Sequence, residues 1–229
     1  MLIIMKKIIT RKVPKNIPLL CQHPLLNHIY AARGITEATE INYDLAKLLP
    51  YQSLKGIKQA VECLAIALQE QQRILIIGDF DADGATSTTL AVLALKAFGI
   101  KNISYLIPNR FDFGYGLTPQ IIEIAAKHKT QLIVTVDNGM TSVDAVEAAN
   151  KLGIKVLITD HHLPSDELPQ ACAIVNPNQH DDQFPSKHLA GVGVIFYLML
   201  SLRSHLRDIK WFNTQNIPEP NMAQFLDLV

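Results

Sequence analysis

RILIIGDFDADGATS, residues 73–87, decides the fold. Its first half is an apolar run with no polar alternation, which reads as a strand buried on both faces. Its second half carries Asp79, Asp81 and Asp83 at intervals of two. If the backbone stays extended, these three side chains share one side, each about 6.5–7 Å from the next. At an effective dielectric of about 20, each neighbouring pair then repels by roughly 2.5 kcal/mol. A cation among them is the expected remedy.

Outward from this stretch the pattern repeats. Apolar runs at RILIIG, NISYLI, QLIVTV, KVLIT and CAIV alternate with helical candidates at about 85–98, 118–128, 142–152 and 189–206. Buried strands joined by helices predict an α/β fold, a parallel sheet with helices on both faces. Residues 1–70 read instead as a small helical segment, with helix-like stretches NHIYAARG, EATEINYDLAKLLP and LKGIKQAVECLAIALQE. The expected boundaries are therefore 1–70 and 71–229. The cluster Lys6, Lys7, Arg11, Lys12 and Lys15 reads as a solvated tail, with a phosphate-facing patch as the alternative.

Composition narrows the class. With 48% hydrophobic and 18% charged residues, the 229-residue chain can bury one substantial core. Its 21 basic and 21 acidic residues cancel, so any nucleic-acid partner must be gripped by a local patch or through metal. Cys21, Cys63 and Cys172 are far apart in sequence and form no CxxC pair, so neither a disulfide framework nor a zinc ribbon is indicated, which fits a reducing cytoplasm. No segment reads as a signal peptide or a membrane span; the longest apolar stretch, GVGVIFYLMLSL, is too short.

Ligands of open parallel sheets sit beyond the carboxyl ends of the strands. Those ends read GDFDADG, PNRFDFGYG, DNGMTS, DHHLP and NPN, so ionisable groups gather at one edge. D-x-D-x-D-G also opens a calcium-binding helix–loop–helix, but the twelfth loop position is Leu90 instead of Glu and the flank is a strand. A phosphatase with an aspartyl nucleophile is disfavoured because neither Asp-x-Asp pair is followed two residues on by Thr or Val. Helix capping accounts for one of the three carboxylates. Asp137 follows the third run, and Asp160, His161 and His162 follow the fourth. Adjacent side chains on an extended segment face opposite ways, so the two histidines are expected to do different jobs. Several oxygen donors with a few nitrogens suit Mn²⁺ or Mg²⁺ better than structural zinc, and a pair of such ions suits phosphoester hydrolysis.

GDFDADGATS, VDNGMTS, ITDHHLP, VNPN and FPSKHLAGVGVIFYLML together resemble the DHH phosphoesterase superfamily. With PNRFDFGYGL and FLDLV they are similar to its bacterial branch of single-stranded-DNA-specific 5′ to 3′ exonucleases of recombination and repair. The resemblance implies metal ligation by Asp81, Asp83 and His161, with Asp137 bridging two ions and Asp79 at the head of the motif. It also implies that His162 faces the scissile phosphate and that Asp160 orients an imidazole. Arg110 and Tyr115 are candidate contacts to phosphate and base of single-stranded DNA. Gly191 and Gly193 fit either a phosphate-approaching helix end or close packing. In the superfamily the segment after LDLV supplies a further metal-binding Asp, so the catalytic domain is expected to be incomplete at its C-terminal end and weak alone. Alternatives are a DHH-type enzyme acting on short oligonucleotides or cyclic dinucleotides, and an inactive fragment that only binds metal or nucleic acid.

Overall fold

A computed structural model describes residues 9, 11–13, 16–42 and 45–229. Lys6, Lys7 and Lys15 of the basic cluster lie outside the described residues. The chain forms two compact units, 1–49 and 50–229. In the first, α1 spans Pro24–Ala32, with Pro at its start and the His23 ring accepting from the Leu26 amide. The expected helix over EATEINYDLAKLLP is replaced by 3-10 turns at Ala38–Ile41 and Leu45–Lys47. The Glu40 carboxylate accepts the Thr36 and Glu37 amides, which fastens a single tight turn at the start of that stretch.

In the second unit come α2 (Ile57–Gln69), β1 (Ile74–Gly78), α3 (Ala82–Ala97), β2 (Ile103–Leu106), α4 (Arg110–Phe113) and α5 (Pro119–Lys127). They are followed by β3 (Leu132–Val136), α6 (Val143–Lys151), β4 (Lys155–Thr159), β5 (Ala173–Val175), α7 (Gly191–Asp208) and α8 (Trp211–Gln215). The unit boundary falls before α2. That helix, grouped by the sequence with the helical lead-in, packs instead against β5 and α7 because its Ile57, Val61, Leu64 and Leu68 stripe needs an apolar partner.

All five strands are parallel in the order β2-β1-β3-β4-β5. Leu75, Ile77, Ile133, Val156 and Ile158 point to the face covered by α5 and α6. α7 packs against both α2 and α3 on the sheet's other side. β1, β3 and nearly all of β4 are buried, which is why their sequences lack alternation. α7 is the helix made by GVGVIFYLMLSL, and its first nine residues are buried in the core. Among the described residues no helix is long and apolar enough to cross a membrane.

The chain leaves β1 toward β2 on one side and later returns to β3 on the other. The strand order therefore reverses between β1 and β3, where Gly78 pairs with Val136. That crevice is where an open parallel sheet places its ligand. Asp79 and Asp137 are the next residues of the two strands.

Candidate metal centre

The backbone does not stay extended through Asp79, Asp81 and Asp83. α3 begins at Ala82, three residues earlier than the sequence suggested. Asp81 is its N-cap and accepts the Gly84 amide at 2.9 Å, while Asp83 lies in the first turn. Gly84 permits this early start, since a Cβ there would sit 2.3 Å from the Asp79 carbonyl oxygen. The three carboxylates thus fan out around a strand-to-helix turn and do not line one side of a strand.

Asp83 has partners the sequence did not reveal. Its two carboxylate oxygens accept the amides of Gly191 and Val192, at 2.8 and 2.7 Å. These are first-turn amides of α7, which have no acceptor within their own helix, and a negative charge there also suits the helix dipole. Gly191 is required for a second reason: a Cβ on it would lie 2.6 Å from Asp137 Oδ1. Of the two uses foreseen for this glycine, close packing is the observed one.

Asp137 adopts a left-handed backbone, φ 63°, which Asp tolerates better than most side chains. It is 1% exposed, and its Oδ1 has no hydrogen-bond partner. His161 Nε2 lies 3.0 Å from that oxygen without the alignment of a hydrogen bond, and 3.6 Å from Asp83 Oδ2. Burial, reinforced by the neighbouring charges of Asp83 and Asp81, pushes the Asp137 carboxyl up to about 8. A buried carboxylate with an orphaned oxygen beside other carboxylates is a site that lacks positive charge.

Two groups of donors meet at Asp137. One ligand atom each from Asp79, Asp81 and Asp137 lies within 4.8 Å of the others, and the same holds for Asp137, His161 and His162. Oxygen-rich donors on one side and imidazole nitrogens on the other fit hard divalent ions, with Asp137 common to both sets.

The two histidines do not face opposite ways. DHH lies in a loop beyond β4 where no strand alternation applies, and the rings meet edge to face with centroids 4.6 Å apart. They still differ in partners. Asp160 Oδ1 accepts the His161 and His162 amides and contacts His162 Nδ1 at 2.7 Å, and its Oδ2 accepts the Met140 amide. With Asp160 as acceptor, His162 Nδ1 carries a proton, and the pair holds this imidazole up to about 9. Burial opposes the ionised form of Asp160, but the His162 and Met140 hydrogen bonds outweigh it and keep its carboxyl below the ordinary range. His162 Nε2 faces Tyr115 Oη at 3.5 Å, across a cleft of about 550 Å³ lined also by Met140, Thr141 and Leu163.

Arg110 stacks over the Phe80 ring at 4.2 Å and near Tyr115 at 5.6 Å. Phe80, Tyr115 and Phe111 are exposed, an aromatic and cationic rim beside the acidic crevice. The sequence reading missed Phe80, although it stands between Asp79 and Asp81. It also missed three asparagines. Asn176 and Asn178 donate to the carbonyls of His162 and His161, and Asn138 ties the ends of β1 and β3 through the Ile77 and Val136 carbonyls. Their signal was their position in DNG and NPN, beyond buried strands.

Fold and site together define an α/β protein with a candidate carboxylate–imidazole metal centre at the reversal point of a parallel sheet. The chain belongs to the DHH family: the model described as DHH family, N-terminal domain, matches residues 73–229. It is 54% identical over 220 residues to the single-stranded-DNA-specific exonuclease RecJ of Escherichia coli (strain K12), covering 96% of this chain and 37% of that protein. The crystal structure of exonuclease RecJ bound to manganese matches with a TM-score of 0.66 at 31% identity, over 79% of this chain and 43% of that one. RecJ from Thermus thermophilus in complex with Mn²⁺ matches with a TM-score of 0.65 at 30% identity, over 87% and 26%. The chain thus spans little more than a third of the E. coli relative's length.

Proposed function

We propose that this chain is the catalytic lobe of a metal-dependent exonuclease that hydrolyses single-stranded DNA from its 5′ end, using Mn²⁺ or Mg²⁺. The observation that carries this reading is the buried Asp137 oxygen that accepts no hydrogen bond, at the point where two donor sets meet. Asp79, Asp81 and Asp137 would hold one ion, and Asp137 with His161, flanked by Asp83, the other. Bound divalent ions supply an activated water and neutralise charge on the phosphoryl oxygens.

The remaining work falls to the chain's own groups. His162, kept protonated by Asp160, offers Nε2–H to a phosphate oxygen in the cleft, where developing negative charge is stabilised. Asp160 commits its acceptor capacity to the loop and the imidazole, which makes it a positioning residue. Arg110 would contact a phosphate, and the Tyr115 and Phe80 rings offer platforms on which bases of an unpaired strand stack. A duplex offers no free base faces to such a rim. The three free thiols suit the reducing cytoplasm.

The test is a chimera in which this chain replaces the matching residues of the E. coli relative. Labelled 5′-phosphorylated single strands should be shortened from the 5′ end in Mn²⁺, with blunt duplex spared and Asp137→Ala inactive. A folded, metal-loaded chimera that leaves single strands intact, or that digests duplex equally well, would rule the reading out.

A further inference from the structure

Cys63 and Cys172 are 109 residues apart in sequence, yet their sulfurs lie 3.0 Å from each other. Cys63 belongs to α2, and Cys172 directly precedes β5, where its amide donates to the Val156 carbonyl at 2.8 Å. Both are free thiols. Cys172 is exposed and Cys63 partly so, which leaves the pair open to small solutes. Neither is among the donors that gather at Asp137. Cys21, the third cysteine, contacts the His23 carbonyl at 3.6 Å in the other unit.

We infer that Cys63 and Cys172 form an oxidation site that closes to an intramolecular disulfide, tying α2 to β5, when the protein meets hydrogen peroxide. Either sulfur can donate across the 3.0 Å contact; with Cys172 as donor, Cys63 is the attacking sulfur, its thiol lowered by that bond against the opposing effect of burial, and Lys155 adds to the lowering. That same bond pushes the Cys172 thiol up. The Cys63 thiolate attacks one peroxide oxygen, the O–O bond breaks, hydroxide leaves, and Cys63 becomes a sulfenic acid. The Cys172 sulfur then attacks the Cys63 sulfur. The S–O bond breaks and its hydroxyl leaves as water with the Cys172 proton. Two thiols lose two electrons, and the peroxide is reduced to water. The sulfurs need to approach by only about 1 Å from their 3.0 Å separation.

The bond would brace a strand that supports the DHH loop. The Asp160 amide donates to the Val175 carbonyl at the end of β5, and Asn176, the next residue, holds the His162 carbonyl. Formation of the disulfide does not depend on the proposed activity.

The experiment exposes the purified chain to a small excess of hydrogen peroxide, alkylates remaining thiols with iodoacetamide, and maps peptides without reductant. The expected result is loss of two hydrogens, alkylation at Cys21 alone, and a linked Cys63–Cys172 peptide released by dithiothreitol. The link closes a long loop, so Tm should rise by several degrees and fall back on reduction. C63S and C172S should lose the shift, and C21S should keep it; the wild-type map decides should either serine variant fail to fold. Three alkylated thiols, or Cys63 oxidised to sulfinic acid with Cys172 still free, would overturn the inference.

Discussion

Asp137→Asn should stabilise the metal-free protein while removing its metal affinity. In the folded chain the Asp137 carboxyl rises from 3.8 to about 8, because it is buried beside Asp83 and Asp81. A carboxyl whose folded value is raised contributes stability that is complete below its unfolded value and is lost as pH climbs through the folded one. At pH 7 about three units of that window have been crossed, at about 1.4 kcal/mol each, or roughly 4 kcal/mol. An effective dielectric of about 20 even at buried sites reduces this to roughly 2–4 kcal/mol. Asn has the same shape, tolerates the left-handed backbone and carries no charge. Urea denaturation in EDTA at pH 7 should therefore show the variant more stable by roughly 2–4 kcal/mol. The gap should vanish near pH 4 and level off above pH 8. With Mn²⁺ at a hundred times its Kd the wild type gains about 2.7 kcal/mol and the variant almost nothing, so the gap narrows or reverses. A variant less stable than wild type in EDTA, or one that retains Mn²⁺ binding, would refute the argument.

Asp83→Ala should have the opposite effect without metal. It strands two buried α7 amides, so the EDTA form should lose roughly 2–4 kcal/mol by urea titration. His162 is held up to about 9 by Asp160, a contribution fully present below 6.5 and lost as pH rises to about 9. His162→Ala should flatten the pH dependence of Tm across that window, and in the chimera it should lower turnover while metal content by atomic emission stays near normal. Arg110→Ala should weaken binding of a fluorescent single-stranded oligonucleotide about tenfold, consistent with loss of one charge-assisted phosphate contact, and leave Mn²⁺ affinity unchanged by calorimetry.

The strands were legible because the sheet is covered on both faces, so Ile74–Gly78, Leu132–Val136 and most of Lys155–Thr159 are uniformly apolar. Residues beyond their ends were legible as site candidates for the same reason: ionisable groups directly after buried runs have few structural uses. What depends on distant partners was not. The acceptor role of Asp83 toward Gly191 and Val192 spans more than a hundred residues. The early start of α3 hides in Asp-Ala-Asp-Gly, which reads as loop until Gly84 is seen against the Asp79 carbonyl. Strand alternation misled the reading of His161 and His162, because the residues after β4 no longer form a strand. The helix over 57–69 packs with the larger unit, which the sequence does not show, since periodicity reveals that a helix has an apolar face and not what covers it.

The function proposed for this chain turns on Asp137 joining two donor sets into one divalent metal centre between β1 and β3. Crystals grown with Mn²⁺ and measured at the manganese absorption edge would locate the ions. An anomalous peak is expected among Asp79, Asp81 and Asp137, and at higher Mn²⁺ a second within about 4 Å of it, between Asp137 and His161. Peaks that avoid Asp137, or none at these strand ends, would contradict it.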